Sequence, residues 1–151
     1  MIISFFGHSK ICVKGDIQHN IEDIILRNAD VGEQIHLYCG GYGDFDALCL
    51  KACLNLKKNG CRCEIAFITP YLNIPKRLMD GLCSFDQLIY PSLERVPLKY
   101  AIAERNKWIV DKSDLIISYV KHNYGGAYSA LCYAKRKNKI IINLADSETD
   151  I

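Results

Sequence analysis

Apolar residues along the chain fall into two alternating patterns. Short continuous runs occupy residues 2–7 (IISFFG), 34–40 (QIHLYCG), 61–69 (CRCEIAFIT), 85–91 (FDQLIYP), 115–120 (LIISYV) and 139–145 (KIIINLA). Between them, apolar residues recur at helical spacing. Ile17, Ile21, Ile24 and Ile25 do so behind Asp16, which is placed to cap the helix. In residues 44–60, Leu48, Cys49, Ala52, Cys53 and Leu56 define an inner face, and Gly60 is the stop. Residues 97–114 predict a longer helix opened by Pro97, with Leu98, Ile102, Arg105 and Ile109 on one stripe. A further helix is expected over 125–138, and the segment 70–84, interrupted by Pro70 and Pro75, carries at most a short one.

Runs that are apolar throughout, rather than alternating, are strands covered on both faces. Strict alternation of strand and helix predicts an α/β fold: a Rossmann-like, doubly wound, mostly parallel sheet of about six strands with helices on both faces. At 151 residues the chain is expected to form one domain over 1–151.

Composition narrows the function without defining it. Half of the residues are hydrophobic and 24% are charged, which is globular composition. A net charge of +2 gives no strong attraction to nucleic acid, so a nucleic-acid partner is not expected. The basic run at 135–139 sits where it offsets the negative end of a helix dipole. No run approaches the roughly 20 apolar residues needed to span a bilayer, and the start "MIISFFGHSK" lacks a basic leader; a cytoplasmic protein with no membrane partner is expected. The eight cysteines lack metal-knuckle spacing and read as buried thiols, so neither a metal nor a cofactor is expected.

Chemistry is expected beyond the carboxyl ends of the strands. There the chain places Gly7, His8, Ser9 and Lys10 after the first strand, and Gly40, Gly41, Tyr42, Gly43, Asp44 and Asp46 after the second. The segment 69–73 follows the third strand, and Gly125, Gly126, Tyr128 and Ser129 follow the fifth. Glycines let the backbone approach an oxygen-rich ligand, and the following helix offers free N–H groups to an anion. The pattern is neither a dinucleotide fingerprint nor a P-loop. Asp44 and Asp46 read either as first-turn acids of the second helix or as acceptors for ribose hydroxyls. Arg105, beside Asn106 on a core-facing stripe, must pair either with a carboxylate of the chain or with a ligand phosphate.

The stretches "FFGHS", "YCGGYGDFDALCLKA", "ERNKWIVDKSDLIISYV" and "YGGAYSALCYAKRKNKIIINLA", in this order, resemble the SLOG superfamily of Rossmann-like proteins. That group includes the LOG phosphoribohydrolases, the Rossmann core of DNA-processing protein A and small YpsA-like bacterial proteins. The resemblance runs over nearly the whole chain and implies a nucleotide-like small-molecule partner at the Gly-rich loops, with Arg105 and Asn106 matching the family's Arg-containing helix. A homodimer or higher oligomer is also expected, because related folds pair through helices. LOG enzymes carry P-G-G-x-G-T-x-x-E, whose acid assists N-glycosidic cleavage. Here Tyr124 stands for the proline, Tyr128 for the third glycine and Ser129 for the threonine, while the acid's place falls on Leu131 or Cys132. Asp44, Asp46 and Glu104 are the carboxylates that could substitute. The leading expectation is therefore binding of a nucleotide, as a sensor or sequestering protein, with a nucleotide N-glycosidase as the alternative. Single-stranded DNA binding stands third.

Overall fold

The structure, a computed structural model, describes residues 1–13 and 15–146, with residues 77 and 78 described by their backbone alone. Six strands form one parallel sheet: β1 (Ile2–Gly7), β2 (Ile35–Cys39), β3 (Cys63–Ile68), β4 (Gln87–Ile89), β5 (Leu115–Tyr119) and β6 (Ile140–Asn143). Their order is β4-β3-β2-β1-β5-β6, so the chain winds outward from β1 in one direction and then resumes at β5 on its other side. The switch point lies between β1 and β5, whose register pairs Ile3 with Leu115 and Gly7 with Tyr119.

Alternate residues of these strands feed two cores. Ile3, Phe5, Leu37, Leu115, Ile117 and Tyr119 pack with α1 (Ile17–Asn28) and α2 (Asp44–Lys58). Phe6, Ile68, Ile116 and Val120 pack on the opposite face with α4 (Ala101–Lys112) and α5 (Gly126–Arg136). Between β3 and β4 the chain makes one turn of α-helix, α3 (Lys76–Met79), and a 3-10 turn (Leu82–Ser84). This is the doubly wound arrangement that the alternating pattern predicts. No helix among the described residues is long and apolar enough to cross a membrane.

Local chemistry explains most element ends. The Asp16 carboxylate accepts from the His19 N–H at 3.0 Å and caps α1, as its position predicts. Lys135 and Arg136 close the last turn of α5, where cations suit the dipole. The main departure is at α4. Pro97 opens a 3-10 turn over Leu98–Tyr100, and α4 starts only at Ala101. The buried stripe of α4 is Ala101, Arg105, Ile109 and Val110; Leu98, in the 3-10 turn, is 77% exposed, and Ile102, at the rim of an open cleft, is 43% exposed. The expected strand at 85–91 shrinks to three residues at the sheet edge. Cys39, Cys49, Cys53 and Cys63 are buried as expected, but Cys12 and Cys83 are exposed because both lie in connecting segments.

Candidate functional site

A cleft of about 520 Å³ opens over the switch point, as the doubly wound topology requires. One wall is the segment after β1, from Gly7 to Lys10; another is α4 through Ile102, Arg105, Asn106 and Ile109; the β5–α5 connection contributes His122, Tyr124, Gly125, Gly126 and Ala127. Gly40, Tyr42 and Asp46 reach it from the end of β2.

The two Gly-rich junctions differ in what they leave open. At α2 the protein itself engages the start of the helix. The Asp44 N–H donates to the Ser9 carbonyl at 2.8 Å, and the Asp44 carboxylate accepts from the Ile11 N–H at 3.2 Å. Asp46 reaches back from the first turn to accept the Tyr42 N–H at 2.8 Å. Gly43, at φ 93°, sits so close to the β1 loop that a Cβ would lie 2.6 Å from Ser9 Cα, so this turn is built for packing. Asp44 is therefore a brace between α2 and the β1–α1 connection, on an exposed residue outside the cleft lining.

At α5 less is engaged. Gly125 (φ 92°) is its N-cap and, like Gly43 at α2, carries no side-chain cap, but here the first turn holds no acid. Neither the cap nor the first turn thus supplies a side chain to compensate the N-terminal N–H groups and the positive end of the dipole where the helix borders the cleft. A Cβ at Gly126 would meet nothing within 4 Å, and its φ lies outside the left-handed region, so the protein's own packing does not explain glycine there.

Arg105 is 4% exposed and works as a clamp on the sheet. Nη1 donates to the carbonyls of Ile68 at 2.6 Å and Gly40 at 3.2 Å, and Nε donates to Asn106 Oδ1 at 2.9 Å. These carbonyls end β3 and follow β2, so the guanidinium joins two strands at the floor of the cleft. The Tyr42 ring lies under it at 5.9 Å. The expected choice between a carboxylate and a phosphate thus gains a third partner, the backbone. The Asp46 carboxylate is also close, since both groups approach the same point above Gly40. Burial pushes the Asp46 carboxyl up to about 6, against the opposing pulls of the Tyr42 N–H and the Arg105 cation. Burial likewise lowers the Arg105 guanidinium.

Of the three candidate acids, only Asp46 lines the cleft. Glu104 pairs with Lys107 at 2.7 Å on the outer side of α4. Leu131, at the family acid's place, is buried in the core beneath α5, and Cys132 lies beside Tyr128 in a separate hollow. The neighbouring Cys132 thiol raises the Tyr128 pKa, and Ser129 is exposed; neither Tyr128 nor Ser129 contributes to the cleft lining. Gly41 and Gly43 line a neighbouring apolar hollow under Phe67 and Phe85. Gly7, His8, Ser9, Gly40, Tyr42, Asp46, Arg105, Asn106, Gly125 and Gly126 are brought together.

His8 joins the two sides of the switch point. Its Nε2 accepts the N–H groups of Lys121 at 3.0 Å and His122 at 3.1 Å, so the ring is neutral with its proton on Nδ1. Burial and the neighbouring His122 lower its pKa. The His122 ring packs against His8 at 4.8 Å and against Tyr124 at 5.2 Å with an 11° interplanar angle. Neither His122 nor Tyr124 was legible as a site residue, because loop aromatics carry no periodicity. Asn143 pairs with both backbone groups of Val120, setting the direction in which the chain leaves β5 for the cleft. No group of three or more metal-ligating side chains occurs among the described residues.

No protein-family model matches the chain, and no curated protein matches its sequence. Solved structures do match its fold. The crystal structure of TM1055, a structural-genomics target, aligns with a TM-score of 0.61 at 12% identity, over 99% of this chain and 81% of that one. DNA processing protein A from Streptococcus pneumoniae aligns with a TM-score of 0.62 at 18% identity; the match spans 98% of this chain but 53% of that protein. At such identities the likeness speaks to the fold alone, a Rossmann-like doubly wound α/β fold.

Proposed function

We propose that the cleft binds a nucleotide or a nucleotide-derived phosphorylated molecule, with a phosphate at the N-terminus of α5, and that the protein acts as a sensor or sequestering protein. The observation that carries this reading is the contrast between the two helix starts. Neither helix has a side-chain cap, but the Ser9 carbonyl takes the first N–H of α2 and two acids stand in its first turn, whereas Gly125 and Gly126 open α5 toward the cleft with no acid in the first turn. Mass spectrometry of small molecules released on denaturing the purified protein tests it. An intact nucleotide that stays intact on incubation with fresh protein is the expected result; release of nothing phosphorylated, with no binding of added nucleotides, would remove the reading.

One observation favours a second reading, nucleotide N-glycoside hydrolysis. Asp46 is a cleft-lining carboxyl held near 6, and so is partly protonated at neutral pH. Such an acid can protonate the departing base as the C1′–N bond breaks, while water adds at C1′ and yields ribose phosphate. Free base accumulating from AMP or CMP, and abolished in Asp46→Asn, would establish hydrolysis in place of simple binding.

A further inference from the structure

We propose, on the basis of the nucleotide reading above, that the ligand carries a planar aromatic base and that Tyr124 is the platform on which the base stacks. Three rings form a ladder along the cleft: His8 on His122 at 4.8 Å, and His122 on Tyr124 at 5.2 Å and nearly parallel. The ladder is anchored at its inner end, where His8 Nε2 accepts two backbone N–H groups from the β5–α5 connection. Its outer end is open. One face of Tyr124 lies on His122, yet the residue is 70% exposed, so the other face is accessible. Such a ring contributes little to the core, and a stack assembled from two loops is a modest source of stability. It is, however, a surface with the shape and polarisability that a base requires, and base–aromatic stacking tolerates any base.

Two further features place the platform beside the phosphate position. Tyr124 immediately precedes Gly125, the N-cap of α5, so ring and helix start share one turn of backbone. Ile102, 43% exposed, lines the same cleft from α4 and supplies an apolar side chain suited to the second face of a base. The cleft is large enough for a nucleoside monophosphate at about 520 Å³.

Calorimetric titration with AMP, GMP, CMP, UMP and ribose 5-phosphate, on wild type, Tyr124→Ala and Tyr124→Phe, tests the assignment. The exposed position lets either variant fold with an unchanged Tm. At least one nucleotide is expected to bind wild type about tenfold more tightly than ribose 5-phosphate. Tyr124→Ala should abolish that advantage while leaving ribose 5-phosphate binding unchanged, and Tyr124→Phe should retain it. Nucleotide affinity unaltered in Tyr124→Ala would overturn the platform. Ribose 5-phosphate binding as tightly as every nucleotide would overturn it too, while leaving the phosphate position intact. Binding of none of the five would overturn the nucleotide reading and the platform together.

Discussion

Replacing Arg105 with alanine removes a buried cation that three acceptors use. The carbonyls of Ile68 and Gly40 lose a donor at 2.6 and 3.2 Å, and Asn106 Oδ1 loses one at 2.9 Å. Hydrogen bonds to a charged group contribute about 1.5–3 kcal/mol each, and removing one member of a buried charged cluster costs about 3–5 kcal/mol. Asp46 adds to the penalty, because the cation that opposes its desolvation is gone. We therefore expect a loss of about 3–5 kcal/mol, a large share of a domain's usual 5–15 kcal/mol, read as a fall of roughly 10 °C in Tm by calorimetry. Arg105→Ala combined with Asp46→Asn should recover part of that loss, since a neutral amide needs no cation. A melting temperature of Arg105→Ala within about 2 °C of wild type would contradict a structural role for the guanidinium. That outcome would mean the guanidinium is held for a ligand and contributes nothing to joining β2 and β3.

Other perturbations separate the remaining roles. Asp46 has its folded pKa raised from 3.8 to about 6, so its contribution to stability is present below 3.8 and is lost as pH rises through about 6. Asp46→Asn should flatten the wild-type decline in Tm between pH 4 and 7, a difference of at most about 3 kcal/mol; parallel curves for the two proteins would refute the shift. His8 behaves in the opposite sense. Its pKa lies below 6.5, so its contribution is present above that pH and is lost as pH falls through the folded value, when protonation of Nε2 ends its acceptance of the Lys121 and His122 N–H groups. Amide exchange at His122, relative to its intrinsic rate, should accelerate on acidification in wild type and be fast at every pH in His8→Ala. Single-stranded DNA should show no mobility shift at low salt, given a net charge of +2. A shift that weakens steeply with salt would instead extend the likeness to DNA processing protein A beyond the fold.

Much of this architecture was legible because the sheet is covered on both faces. Runs such as LIISYV and IISFFG had to be buried strands, and the alternation with helices left few other topologies. Arg105 was legible for the same reason, as a cation at a core-facing position. Its partners were not, because backbone carbonyls at strand ends leave no trace in residue type. Helical spacing counted from Pro97 puts Leu98 and Ile102 on the core stripe; the 3-10 turn changes the angular step at Leu98 and turns it outward, while Ile102 keeps its place beside Arg105 and is exposed because it borders the open cleft. The two glycine loops differ in sequence by the first-turn acids Asp44 and Asp46 of α2, and in the fold by Ser9, whose carbonyl arrives from the β1–α1 connection to take the Asp44 N–H. The His8–His122–Tyr124 ladder likewise depends on β1 and β5 being neighbours, a fact of topology rather than of spacing.

The most direct test of the central claim is titration of the four nucleoside 5′-monophosphates into wild type and Gly126→Ala, with Tm measured alongside. A Cβ at this position meets nothing within 4 Å of the protein, so folding should be unaffected or slightly improved. The same Cβ would stand where a phosphate must approach the α5 backbone, so affinity should fall at least tenfold while Tm holds. Equal affinity in the two proteins would contradict a phosphate seated at the start of α5.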